Sequence, residues 1–66
     1  MNRMKRMRNI RKLLDVIVSE CLEARAALAS GHPYFLLDHA MEIDARVGKL
    51  VKGAEKQCVD YDRSRR

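Results

Sequence analysis

Two apolar stripes of heptad spacing, mirrored about a single breaker, constrain this chain more than any other feature in it. The breaker is Ser30-Gly31-His32-Pro33. Glycine suits the left-handed residue just past a helix, and proline suits the first turn of the next. Upstream, Met7, Ile10, Leu14, Ile17, Cys21, Ala24 and Leu28 step by three and four, filling the a and d positions of a heptad. Downstream, Leu36, Ala40, Ile43, Val47, Leu50 and Ala54 do the same, and the stripe continues through Gln57 to Tyr61. In an antiparallel hairpin, residues that face each other have position numbers of constant sum. Leu28 with Leu36, Ala24 with Ala40, Cys21 with Ile43, Ile17 with Val47, Leu14 with Leu50 and Ile10 with Ala54 all add to 64. The spacing predicts an all-α antiparallel helical hairpin forming one domain over residues 1–66. Helix 1 runs over about 3–29, a turn over 30–33 and helix 2 over about 34–60, with a frayed basic tail at 61–66.

The flanks of the stripes carry further information. At the g positions, which face each other in an antiparallel pair, Glu20 is expected opposite Arg46, Arg6 opposite Asp60, and Leu13 over Gly53. On the other flank Val18, Leu22, Leu37, Met41, Val51 and Cys58 occupy e and b positions and form a second apolar strip, with Gly48 positioned for close approach. Two helices of this length run roughly 40 Å each, yet a lone hairpin closes only one seam. A chain of 66 residues with two cysteines has no disulfide framework to supplement a thin core, so metal, helix packing or oligomerisation must supplement it. A second copy would cover the strip and make a homodimeric four-helix bundle. The rival occupant is a different protein, docked on the same strip by helix-in-groove contacts.

Composition excludes several classes. Apolar residues are 47% and charged residues 35%, too hydrophobic for a disordered chain and too charged for a membrane-embedded one. Asp15, Glu20 and Arg25 interrupt the first apolar region, so no stretch reaches the roughly 18 residues of a membrane span. The same acids spoil any signal-peptide core. A cytoplasmic protein with reduced Cys21 and Cys58 is expected, and the repeated Met1, Met4 and Met7 leave the start codon open. Cys21 is expected in the core beside Ile43 as a small hydrophobe. Cys58 lies some 20 Å along the hairpin from it, too far for an intrachain disulfide.

Charge is sorted along the chain. Residues 1–12 carry six positive charges and no negative one, residues 13–45 net minus five, and residues 46–66 net plus four. A hairpin brings its termini together, so the termini form a basic pole and the turn half is acidic. Lys5, Arg8 and Lys12 make an outward stripe on helix 1, and Lys49, Lys52 and Lys56 repeat it on helix 2. Such a pole fits phosphates through counterion release and direct contact. The expected nucleic-acid-binding residues are Arg3, Lys5, Arg8, Arg11, Lys12, Lys52 and Lys56, with RNA favoured over DNA and an acidic protein surface as a further candidate. No catalytic residue, metal or cofactor is expected. His32 belongs to the turn, as an N-cap or a solvated side chain. His39 precedes Glu42 by three, the reverse of the Glu-x-x-His order of bundle di-metal sites, and no nucleophile, base and acid converge in one layer. The chain reads as a small non-enzymatic regulator acting on nucleic acid through its basic pole, or alternatively as a regulator or inhibitor that docks its apolar strip on a larger protein.

In topology the whole chain resembles the plasmid-encoded repressor-of-primer family, dimeric hairpins of similar length that bind paired RNA loops. That resemblance rests on architecture and not on a shared motif, and it implies a dimer with RNA as ligand. The run Ala40-Met41-Glu42-Ile43-Asp44 is similar to the Ser-Gln-Glu-Leu-Asp signature of the small aspartyl-phosphate phosphatases of sporulation control, which are also helical hairpins. It keeps the acid, aliphatic and acid residues and lacks the serine and glutamine.

Overall fold

A computed structural model describes residues 3–65; Met1, one of the candidate starts, and Arg66, the end of the expected tail, lie outside the described residues. The chain forms two helices, α1 (Arg3–Ala29) and α2 (Pro33–Ser64), packed against each other in a rod of 52 × 16 × 15 Å. The all-α hairpin stands as the sequence predicts. No helix among the described residues is long and apolar enough to cross a membrane.

The connection is built from backbone hydrogen bonds. Gly31 has φ +73°, the left-handed conformation that glycine adopts without a Cβ penalty. His32 N–H donates to the carbonyl of Ala27 at 3.0 Å, and Gly31 N–H to that of Leu28 at 3.2 Å. These are the two bonds of a Schellman motif, and they satisfy carbonyls that the end of α1 would otherwise leave open. Pro33 then occupies the first turn of α2, where its missing N–H costs nothing. His32 sits at the N-cap position but makes no side-chain cap; its ring instead tilts against Phe35 at 5.3 Å between centroids. At the other end α2 does not fray at residue 60. No breaker follows, Arg63 in the last turn complements the helix dipole, and the Ser64 hydroxyl donates to the Tyr61 carbonyl, so the expected tail is helical through Ser64.

The seam differs from the expected one. The less exposed residues are Arg6, Ile10, Leu13, Ile17, Glu20, Ala24 and Ala27 on α1, facing Leu36, His39, Ile43, Arg46, Leu50, Gly53, Gln57 and Asp60 on α2. These are d and g positions. The expected a positions, Met7, Leu14, Cys21, Leu28, Ala40, Val47 and Ala54, are exposed, so Cys21 is not a core residue. Register shifts with the rotation. A Cβ built on Gly53 would lie 3.2 Å from Ile10 Cγ1, and Arg6 donates to Gln57 Oε1 at 3.2 Å; both pairs add to 63 instead of 64. Gly48, expected at a close approach, has nothing within 4 Å of its would-be Cβ inside the hairpin. The physical reason is the width of the apolar sector. It runs from d through a and e to b, wider than the stripe one partner helix can cover. Packing on its d edge lets the tiny Gly53 and Ala27 bring the helices together and leaves the rest of the sector contiguous on one flank.

That flank is large. Ala27, at 8% exposure, is the one buried residue among those described, whereas Leu28, Met41, Leu22 and Val18 are 66, 63, 59 and 57% exposed. The chain presents 5652 Å² to solvent, against about 4,300 Å² for a folded monomer of its mass. The register is testable in a background carrying Cys21→Ser and Cys58→Ser. The pair Ile10→Cys with Gly53→Cys should close an intrachain disulfide on mild oxidation, read by non-reducing mass analysis. The pair Ile10→Cys with Ala54→Cys should close it far more slowly, and the opposite order would restore the a/d register.

Candidate functional site

The two sides of the seam carry different chemistry. On the a/e/b side lie the residues expected to form a partner interface, Val18, Leu22, Leu37, Met41, Val51 and Cys58. All are exposed, and the a residues Leu14, Leu28 and Val47 join them in a wider strip than the sequence spacing implied. On the other side, toward the termini, the helices leave a shallow groove lined by Arg6, Asn9, Ile10, Leu13, Lys49, Lys52, Gly53 and Lys56. Its floor is apolar because Gly53 has no side chain and Ile10 and Leu13 reach under the gap. Its rim is cationic because Lys49, Lys52 and Lys56 step by three and four along one edge of α2, while Arg6 stands across from them on α1.

The expected phosphate-binding residues fall into two groups. Lys52 and Lys56 line the groove, and they also line an adjoining hollow with Arg6, Glu55, Val59 and Asp60. Arg8 and Arg11 instead flank a hollow with Met4 and Met7, beside the end of the apolar strip. Arg3, Lys5 and Lys12 are exposed near the same pole and line neither hollow. A single outward stripe of Lys5, Arg8 and Lys12 is therefore not what contributes to the groove; the lysines of α2 are. Lys49 and Arg6 are groove residues outside the expected set. The step Lys49, Lys52, Lys56 around Gly53 carries the signal for Lys49, whereas the g-position pairing of Arg6 with Asp60 hides its place beside the groove.

That ion pair is present: Arg6 contacts Asp60 Oδ2 while also donating to Gln57, with both charged side chains partly buried. The expected Glu20–Arg46 pair is not. Arg46 bonds Glu42 one turn back on its own helix, a partner it reaches at little entropic cost, and Glu20 faces His39 instead. With the ring proton on Nδ1, His39 donates to Glu20 Oε2 at 2.9 Å, and Glu23 Oε2 lies 3.5 Å from the same nitrogen. This cross-helix meeting was not legible from His39 and Glu42 alone, because it depends on the rotation of both helices toward their g positions. Within the run 40–44, Ile43 is in the seam and Glu42 is held by Arg46. At the basic pole Arg65 lies over the Tyr61 ring, 5.4 Å from its centroid, and donates to its hydroxyl. Both cysteines are free, exposed thiols.

No family profile matches this chain, and neither a curated protein nor a solved structure does. Asp60 holds the groove's arginine, so Asp60→Asn should release Arg6 toward an anion. It should cost about 1 kcal/mol of stability or less in urea unfolding, and a much larger loss would show that the pair holds the helix ends together.

Proposed function

We propose that the chain is a dimeric, non-enzymatic binding protein whose cationic grooves grip the phosphates of a nucleic acid, with RNA the favoured ligand. The observation that carries this reading is the separation of surfaces: the apolar strip lies on one side of the seam, and the groove of Arg6, Lys49, Lys52 and Lys56 on the other. A partner copy covering the strip leaves each groove open. Area favours an occupant for the strip: the chain exposes 5652 Å², about 1,350 Å² more than a folded monomer of its mass, and a second copy is the occupant the sequence itself supplies. The result is an antiparallel four-helix bundle with a groove on each outer side.

The groove suits phosphate more than base edges. Lysine ammonium groups on a rim bind the backbone as point charges without reading sequence. Protein regulation through the apolar strip is the alternative, favoured by the acidic turn half, which a nucleic acid lying along the full rod would meet at Glu23, Asp38 and Glu42.

Sedimentation equilibrium at micromolar concentration should return twice the chain mass; a stable, folded monomer would give the strip to another protein. For the groove, Lys52→Gln or Lys56→Gln should weaken binding of short RNA probes about equally on all sequences. Each should lower the slope of log affinity against log salt by roughly 0.7 to 0.9, whereas Arg25→Gln on the acidic half should change neither. Binding that ignores salt, or equal losses at Arg25 and Lys52, would leave the protein-regulator reading ahead.

A further inference from the structure

We propose that Glu20, Glu23 and His39 form a divalent-cation site of the zinc class that ties α1 to α2 near their connection. The ligand set comes from both helices. Glu20 and Glu23 are three residues apart, hence neighbours on one side of α1, and His39 reaches them from α2. One ligand atom from each lies within 4.8 Å of the others, with His39 Nδ1 2.9 Å from Glu20 and 3.5 Å from Glu23. Zinc binds nitrogen and oxygen ligands at about 2.0–2.1 Å in a tetrahedron, which sets its ligand atoms about 3.3 Å apart. The separations of His39 Nδ1 from Glu20 and from Glu23 bracket that value.

The charge arrangement points the same way. Two carboxylates converge on one imidazole nitrogen, whose single proton can serve only one of them well. Elsewhere in the hairpin acids have an arginine: Asp60 at the seam has Arg6, and the exposed Glu42 has Arg46. Among the described residues neither Glu20 nor Glu23 has a lysine or arginine partner. A divalent cation neutralises both charges and takes the imidazole as its neutral ligand. Three protein ligands leave a fourth position for water, and the exposed Glu23 side leaves an entry path. Such an ion links the helices in a chain that buries almost nothing within itself, the kind of staple small domains use. The proposal is independent of the nucleic-acid reading.

Calorimetric titration of the full chain with zinc should show one ion per chain and a rise in the thermal midpoint, and cobalt in its place should give visible d–d absorption. Glu23→Gln, at an exposed position where folding is not at risk, and His39→Gln should each weaken binding by roughly tenfold or more, since each removes one of three ligands. The double variant Cys21→Ser/Cys58→Ser and the single Glu42→Gln should bind as the native chain does. Zinc affinity unchanged by Glu23→Gln and His39→Gln, or abolished by removing the thiols, would overturn the site and leave an interhelical hydrogen bond only.

Discussion

How near the two helices can come depends on the contact between Gly53 and Ile10, and the surfaces of the molecule follow from it. With no side chain at position 53, the isoleucine tip fills the space a Cβ would take, and the helices close on their d and g edges. That choice turns the larger apolar residues away from the seam. The hairpin thus gains a narrow contact of small and branched side chains, supplemented by Arg6 with Asp60 and Gln57 near the termini and by Glu20 with His39 nearer the turn. Close-packed interiors hold because many weak contacts add up, and a two-helix seam with a single buried alanine has few of them. Stability must come from what covers the remaining flank and from what ties the helices across the seam.

The same rotation sorts the surface by chemistry. One flank carries most of the exposed large apolar residues, from Met4 and Met7 to Leu28 on α1 and from Leu37 to Tyr61 on α2, with Arg11, Asp15, Arg25, Asp44 and Glu55 set among them. The other holds the lysine-rimmed groove at the termini and the glutamate–histidine meeting nearer the turn. Exposed apolar surface is costly in water, and the cationic groove lies on the opposite flank from it. Along the rod, the charge asymmetry of the sequence becomes a dipole with its positive end at the termini.

Much of the fold was legible in the sequence because it rests on local signals. Heptad spacing and the Ser30–Pro33 breaker placed both helices and their antiparallel sense, with α2 starting one residue earlier and ending four residues later than expected. The rotation of each helix was not legible, because the a/d and d/g edges of a wide apolar sector look alike in spacing. What decides between them is the fit of side chains across the seam, a small residue such as Gly53 against a branched one such as Ile10. The error carried into the site. It misplaced Cys21, paired Glu20 with Arg46 and hid His39 from Glu20 and Glu23. Arg6–Asp60 survived the rotation because two long side chains tolerate a shift of one residue.

The connection between the helices does more than reverse the chain. A hairpin with one apolar flank has a competitor in which the loop straightens, both helices fuse into one rod, and two chains exchange halves to cover one another. Here Gly31 is already committed to φ +73° and His32 to φ −103°, ψ 85°, neither of them helical. Pro33 penalises an α conformation at the residue before it, and inside a continuous helix its ring would cost about 3 kcal/mol or more. Three residues thereby act as a topological lock: they hold the chain folded back on itself and disfavour the fused rod.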